Sequence, residues 1–116
     1  MDIDSVRKNC RSLPGVKEDV KWEKNLTFLI GEKMFAIVGL ERGTTVMSFK
    51  CTPESFADLT NRERIIPAPY LARYNWIGLE RYDAIEQTEL HELVKKSYTL
   101  VFEKLPKKLR DELERK

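Results

Sequence analysis

The sequence predicts an α+β fold in which helices cover one face of an antiparallel sheet. Three strand-like runs follow an N-terminal helix pattern, and two shorter runs precede a long C-terminal helix pattern. The strand runs are consecutive and do not alternate with helices, which favours antiparallel pairing over parallel βαβ units. The expected order is therefore α-β(3)-α-β(2)-α, arranged in two layers.

The N-terminal helix is predicted over residues 2–12, with Asp2 as its N-cap. Pro14-Gly15 ends it, since proline and glycine are typical just beyond a helix. The apolar positions recur close to the helical period: Ile3, Val6, Cys10 and Leu13. This spacing predicts an amphipathic helix that packs by one side.

Three runs rich in β-branched and aromatic residues come next, at 26–30, 33–40 and 44–51. Gly31-Glu32 and Arg42-Gly43 separate them as turn candidates, so the runs predict a meander. Both alternating sets of the second run are apolar: Met34, Ala36, Val38 and Leu40 in one, Phe35 and Ile37 in the other. This pattern predicts that both faces of the strand are covered, by a protein partner or by a second copy.

A short helix is predicted after the third run, with Thr52 as its cap, Pro53 at its first position, and Phe56 and Leu59 on its buried side. Ile65-Ile66 is predicted as a short strand. Because Pro67 and Pro69 follow it, the strand belongs at a sheet edge or in an irregular segment.

The C-terminal part is predicted to contain a strand at Trp76–Leu79 and a long helix over about 88–104. One apolar stripe at helical spacing supports this helix: Leu90, Leu93, Val94, Ser97, Val101 and Leu105. Pro106 stops or restarts it. We therefore expect one domain over 1–106, followed at 107–116 by a polar tail or short helix.

Length and composition exclude several classes of protein. The chain has 116 residues, of which 41% are hydrophobic and 34% charged, and its formal net charge is +2. This profile is unlike that of collagen or low-complexity disorder. The longest apolar stretch, 34–40, is far shorter than the roughly 20 residues of a membrane helix, and no signal-peptide pattern opens the sequence.

Catalytic and metal-binding motifs are missing from the sequence. There is no P-loop, dinucleotide-binding or GxSxG pattern, and Cys10 and Cys51 have no zinc-ligand spacing. The two cysteines are expected to be buried thiols, with one disulfide as the alternative. His91, the only histidine, is expected to be partly buried or on the surface. Glu18, Asp19 and Glu23 alternate with lysines and are interpreted as paired surface charge. We therefore expect no enzyme, no cofactor and no metal.

Basic side chains concentrate in two segments. Residues 61–82 hold four basic and two acidic side chains, and residues 104–116, which begin at Lys104, hold six and three. Residues 83–103 between them hold two and five. A solvated surface with charges matched to helix dipoles is one explanation. A surface that binds an anionic partner is the other.

Residues 62–76 interleave arginines with aromatic side chains, a combination that suits nucleic acid because Arg reaches phosphates and rings stack on bases. Tyr70 and Trp76 have a second interpretation, as packing at the end of the sheet, and Trp22 is interpreted as packing at its start. The candidate nucleic-acid-binding residues are the following: Arg62, Arg64, Arg73, Tyr74, Trp76, Arg81, Lys107, Lys108 and Arg110.

Several short motifs, in order, resemble the MmcQ/YjbR family of small bacterial proteins, which are CyaY-like. The first half of the chain supplies Leu13-Pro14-Gly15-Val16, Glu18-Asp19, Trp22, Lys33-Met34-Phe35-Ala36 and Lys50-Cys51-Thr52-Pro53-Glu54. The second half supplies Pro69-Tyr70-Leu71-Ala72-Arg73 before Trp76, and Ser97-Tyr98 with Leu105-Pro106.

This resemblance implies the same α-β(3)-α-β(2)-α fold, a bacterial cytoplasmic origin and DNA binding. Many members of the family carry a basic residue and a histidine directly before the tryptophan, whereas this chain has Tyr74 and Asn75. Arg73 is the nearest basic substitute. Two hypotheses follow from the sequence: a DNA-binding domain, or a protein-interaction or chaperone-like adaptor module that uses an apolar sheet face.

Overall fold

The computed structural model of the chain describes residues 3–21, 25–40, 45–69 and 71–114. Four α-helices and six strands form there, with short 3-10 turns at Ala72–Tyr74 and Tyr82–Ala84. In chain order the elements are α1 Ile3–Arg11, β1 Lys17–Lys21, β2 Asn25–Ile30, β3 Lys33–Gly39, β4 Met47–Lys50, α2 Pro53–Leu59, β5 Ile65–Pro67, β6 Trp76–Leu79, α3 Gln87–Phe102 and α4 Lys107–Glu114. The predicted α+β class is confirmed.

All six strands join one antiparallel sheet in the order β1-β2-β3-β4-β6-β5. The sequence predicts three strands before α2, whereas the structure has four, because the additional strand β1 precedes the predicted meander. Strand β1 reads Lys-Glu-Asp-Val-Lys and lacks the apolar alternation that marks a strand. It forms at the sheet edge, where Glu18 forms ion pairs with Arg7 and Arg11 of α1.

The turn between β2 and β3 is a two-residue hairpin loop, as predicted. Gly31 has φ 57° and Glu32 has φ 67°. Positive φ at both central residues is typical of the turn whose twist matches antiparallel strands. Space also favours glycine at this position, since a Cβ there would lie 2.7 Å from a methyl group of Leu105, which would have to move.

A β-bulge explains why strand β3 is apolar on both alternating sets. Phe28 pairs with Ala36, but the next residue, Leu29, pairs with Met34, so Phe35 is the extra residue. The Phe35 ring packs edge-on against Tyr98 of α3, at 5.5 Å between centroids. Phe35 therefore does not share a face with Ile37, contrary to simple alternation, and the predicted partner or second copy stays a prediction.

The core lies between one face of the sheet and the helices. Two cross-strand rows supply the sheet side, the first being Leu26, Val38, Met47, Leu79 and Ile65, and the second Phe28, Ala36, Phe49 and Ile77. The helix side comes from α1, α2 and α3: Val6, Cys10, Leu59, Leu90, Val94 and Val101. The row on the other face is Thr27, Ile37, Ser48, Gly78 and Ile66.

The remaining helices agree with the sequence signals. The Thr52 hydroxyl accepts a hydrogen bond from the Ser55 backbone N–H at 3.1 Å and caps α2, which begins at Pro53. After Pro106 the chain forms a short helix, one of the two predicted alternatives, and Leu109 and Leu113 of α4 pack against the core. Strand β5 lies at the sheet edge, as predicted, and includes Pro67 as its last residue.

Some predictions fall outside the described residues, namely the Asp2 cap, the Trp22 packing, the Arg42-Gly43 turn and the role of Tyr70. Cys10 and Cys51 are both free and buried, which confirms the expectation of two thiols. Within the described ranges, no helix has both the length and the apolar content that crossing a bilayer requires.

Candidate nucleic-acid interface

One end of the sheet brings together basic residues from distant parts of the chain. Strand β3 begins there at Lys33, β4 ends at Lys50 and β6 begins at Trp76. The C-terminal end of α3 reaches the same place, because Lys104 lines one pocket with these three residues. We call this the basic end, defined by Lys33, Lys50, Arg73 and Lys104.

None of these four cations forms an ion pair with a carboxylate in the part of the chain that the structure describes. Lys33 and Lys104 are exposed and Lys50 is half-buried. Lys33 and Lys50 are not among the predicted nucleic-acid-binding residues, since each stands at the terminus of an apolar strand. Only the antiparallel pairing, with β3 starting where β4 ends, places them together.

The 3-10 turn at Ala72–Tyr74 directs Arg73 and Tyr74 to solvent. Asn75 ends it in the left-handed conformation, with φ 65°, which asparagine tolerates better than most residues. The Asn75 carbonyl accepts hydrogen bonds from the Cys51 N–H at 2.9 Å and from the Cys51 thiol at 3.2 Å. These bonds tie the turn to the end of β4, so Asn75 has a structural role.

Arg73 and Tyr74 form a cation–π pair on the surface. The guanidinium carbon of Arg73 lies 4.9 Å from the centroid of the Tyr74 ring, and Tyr74 is 48% exposed. Trp76 is different, because only 5% of it is exposed. Of the two interpretations of Trp76, burial favours packing at the end of the sheet, and Tyr74 is the aromatic ring that solvent reaches.

A pocket of about 300 Å³ opens beside Trp76 at the basic end. Its apolar lining comes from β3, the loop before the 3-10 turn, β6 and the end of α3: Met34, Leu71, Trp76, Val101 and Leu105. Lys33, Lys50 and Lys104 complete it. The pocket therefore combines apolar walls with three ammonium groups.

Ser97 holds α3 against this end of the sheet. Its hydroxyl is fully buried, donates to the Phe35 carbonyl at 2.6 Å and accepts from the Lys50 N–H at 3.0 Å. The bulge at Phe35 and the end of β4 are thus joined through one side chain. The sequence placed Ser97 in the apolar stripe of the helix but gave no signal of these two bonds.

Three of the predicted arginines, Arg62, Arg64 and Arg81, lie at the opposite end of the sheet. Arg64 precedes β5, and Arg81 follows β6. The Arg62 guanidinium bonds Glu89 at 2.8 Å and Asp58 at 3.0 Å, which raises the pKa of Arg62, chiefly through the hydrogen bond to Glu89. Arg81 pairs with Asp83 at 3.0 Å. Arg64 lines a shallow depression with Arg81, Glu63 and Asp83.

We call this second region, defined by Arg62, Arg64 and Arg81, the ion-paired end, after the ion pairs of Arg62 and Arg81; Arg64 itself forms no ion pair within the described residues. The length of β6 separates it from Trp76, which is about 10 Å for four residues. The nine predicted residues therefore do not form one surface.

The C-terminal basic residues divide in the same way. Lys107 and Lys108 are exposed in the first turn of α4, three and four residues after Lys104. Arg110 is half-buried, and its Nε donates to the Leu105 carbonyl at 3.1 Å. Arg110 thus stabilises the junction between α3 and α4.

Other chemically reactive side chains either lie away from the basic end or are buried. His91 is half-buried on α3, and its Nε2 has no hydrogen-bond partner in the described residues. Burial raises the pKa of Cys51 to about 11, and burial together with Glu18 raises that of Cys10 to about 12. In the described ranges no cluster of three or more His, Cys, Asp or Glu side chains has the arrangement of a metal site.

Comparison with known proteins gives the family of the chain. A crystal structure of a Deinococcus radiodurans protein with the DUF419 domain aligns with a TM-score of 0.85 at 26% identity, covering 97% of this chain and 87% of that chain. A crystal structure of a Pseudomonas syringae protein aligns with a TM-score of 0.70 at 20% identity, covering 87% and 99% respectively, and shows likeness of fold alone. No curated protein matches. The YjbR family model matches residues 11–100, so the chain belongs to the YjbR family, as its motifs predicted.

Proposed function

We propose that this YjbR-family chain is a non-enzymatic module that binds nucleic acid through its phosphates, using the basic end of the sheet. The observation that supports this is the meeting of Lys33, Lys50 and Lys104 around one pocket, with Arg73 in the 3-10 turn between the pocket residues Leu71 and Trp76. None of these four cations has a carboxylate partner among the described residues. Cations that no carboxylate neutralises attract phosphates, and binding gains free energy as the condensed counterions are released.

The proposal narrows the set of residues predicted from the sequence. Arg62 and Arg81 already bond carboxylates, so a phosphate must compete with those carboxylates for the same guanidinium donors. Lys107 and Lys108 are exposed and extend the basic end along α4. We therefore assign the phosphate contacts to the basic end and to these two lysines.

Arg73 and Tyr74 are proposed as the centre of the contact. The Tyr74 ring is exposed and offers a face to an unpaired base, while Arg73 reaches a phosphate next to it. Trp76 supports the turn from below and does not stack on a base, since it is buried. Such contacts position the protein on the backbone and carry little sequence information.

The test is a titration of fluorescently labelled DNA at several salt concentrations. If the four cations of the basic end each neutralise one phosphate of duplex DNA, log K falls against log salt with a slope near −3.6, and contacts from Lys107 and Lys108 make the slope steeper. Arg73→Ala and Lys104→Ala should each weaken binding and reduce the slope by about one. Arg81→Ala is the matched control, because Arg81 is exposed but bonded to Asp83, and it should leave the slope unchanged.

Two results would overturn this proposal. One is the absence of binding to single-stranded and duplex DNA at low salt. The other is an equal loss of affinity in Arg81→Ala and Arg73→Ala, which would mean that the basic end has no special part in binding.

A further inference from the structure

We infer that the pocket beside Trp76 binds a small anion with an apolar body, such as an aromatic or aliphatic acid. The pocket measures about 300 Å³, at the lower limit of the range for small-molecule sites, so the ligand is small. Its lining combines two kinds of side chain, apolar walls and lysines, and each kind accounts for one half of such a ligand.

The apolar walls are fixed by the fold before any ligand arrives. Trp76 and Leu105 are each 5% exposed, and Val101 is 8% exposed. Side chains held this way lose little conformational freedom on binding, which favours affinity for a ligand of matching shape. The atoms of Trp76 that reach the pocket and the aliphatic side chains around them suit a ring or a short hydrocarbon chain.

The three lysines specify a negative charge on the ligand. Lys50 is half-buried in the pocket lining, and Lys33 and Lys104 reach it from β3 and from the end of α3. None of the three has a carboxylate partner in the described ranges. An anion in the pocket can accept charge-assisted hydrogen bonds from these ammonium groups.

Ser97 keeps the pocket in shape. Its bonds to the Lys50 N–H and to the Phe35 carbonyl fix the end of β4 and the bulge of β3 beneath the lysines. The backbone of Lys50 therefore holds its position with or without a ligand.

This inference goes beyond nucleic-acid binding, although both use the basic end. A polyanion needs exposed cations along a surface, whereas this ligand needs the enclosed walls that Met34, Val101 and Leu105 provide. The two are separable, because ligand binding is measured without nucleic acid. A negative result for nucleic-acid binding does not bear on the small-ligand site, and a negative result for the small ligand does not bear on nucleic-acid binding.

The experiment is equilibrium dialysis of the full chain against four compounds. 2-Naphthoate and 2-naphthyl phosphate carry both an apolar body and an anionic group, and their relative affinities show which acidic group the lysines prefer. 2-Naphthol lacks the charge and inorganic phosphate lacks the apolar body. We expect each of these two to bind at least about tenfold more weakly than the better naphthyl anion.

Variants locate the site. Lys50→Met keeps the aliphatic stem and should weaken binding of the better naphthyl anion about tenfold. Lys96→Met, an exposed lysine of α3 outside the pocket lining, is the matched control and should change nothing. Leu71→Trp fills the pocket from a half-buried position and should abolish binding while circular dichroism shows the fold intact.

Several outcomes would overturn the inference. Equal affinity for 2-naphthol and the naphthyl anions would remove the role of the lysines. Equal affinity for inorganic phosphate would remove the role of the walls. Absence of binding by every compound, or unchanged binding in a folded Leu71→Trp variant, would show that the pocket is not a ligand site.

Discussion

The two ends of the sheet carry similar numbers of basic side chains but differ in whether these side chains form ion pairs with carboxylates. At the ion-paired end, Arg62 bonds Glu89 and Asp58, and Arg81 bonds Asp83. At the basic end, Lys33, Lys50, Arg73 and Lys104 have no such partner among the described residues. Nearby carboxylates, rather than the number of basic residues, determine where this molecule presents positive charge.

The aromatic side chains of the basic end also differ from one another, since one is buried and another is exposed to solvent. Trp76 and Tyr74 are two residues apart at the basic end, yet they are 5% and 48% exposed. The 3-10 turn and the left-handed Asn75 reverse the chain between them. An interleaved run of arginines and aromatics therefore does not by itself make a stacking surface.

The largest expected effect is the loss of the buried ring beneath the basic end. Trp76→Ala should lower the free energy of unfolding by about 3–5 kcal/mol, as truncation of a large core aromatic does. Tyr74→Ala is the matched control on the exposed side of the same turn and should change it by less than about 1 kcal/mol. Urea denaturation measures both, and an unchanged stability in Trp76→Ala would mean that the ring does not pack at the end of the sheet.

Ser97 gives the next largest effect. Ser97→Ala leaves the Phe35 carbonyl and the Lys50 N–H without a partner, which should cost about 1–3 kcal/mol of stability. Thr99→Ala is the control, since Thr99 is exposed and its hydroxyl bonds only the Lys95 carbonyl of the same helix. Equal stabilities of the two variants would remove Ser97 as the link between α3 and the basic end.

The pH dependence tests whether the basic charges face outward. Positive charges directed at Cys51 would lower the pKa of its thiol, whereas burial raises it to about 11 from an ordinary 9.0. Between these values the unfolded chain holds fewer protons, so the free energy of unfolding should fall as pH rises from 9 to 11. Below pH 9 the contribution is fully present.

Cys10 acts in the same direction, because its pKa is raised to about 12. Urea denaturation from pH 8 to pH 11 should therefore show a decline that Cys51→Ala makes shallower. If the Cys51 thiol ionised as readily in the folded chain as in the unfolded one, Cys51→Ala would not change the slope of this decline. That result would contradict the expected role of burial.

The smallest expected effect concerns the surface arginines. Arg81→Ala and Arg73→Ala should each change stability by less than about 1 kcal/mol, since exposed ion pairs and surface cation–π contacts contribute little. Thermal unfolding compares the two. A much larger loss in Arg81→Ala would show that the ion pairs of that end hold the β5–β6 pair together.

Most of the fold follows from local patterns in the sequence. The hairpin at Gly31-Glu32, the capped helix at Thr52-Pro53 and the apolar stripe of α3 each rest on nearby residues, and each is found where predicted. Strand β1 was missed because its residues alternate in charge, and its pairing with β2 is not local. The bulge at Phe35 was missed because a one-residue shift in register leaves no mark in composition.

The site was harder to predict because it depends on distant contacts. Sequence proximity grouped Arg62, Arg64, Arg73 and Arg81, whereas the antiparallel β5–β6 pair sends Arg73 to one end of the sheet and the other three to the opposite end. The partners of Arg62 include Glu89, 27 residues away. Lys33 and Lys50 meet only through the pairing of separate strands.

The most direct test of the comparison is a map of backbone amide shifts in ¹⁵N NMR spectra as duplex or single-stranded DNA is added at low salt. Our account predicts that the largest shifts cluster at the basic end, around Lys33, Lys50, Arg73–Tyr74 and Lys104–Lys108. It predicts small shifts at Arg62, Arg64 and Arg81. Largest shifts at the ion-paired end, or no shifts with either form of DNA, would contradict it.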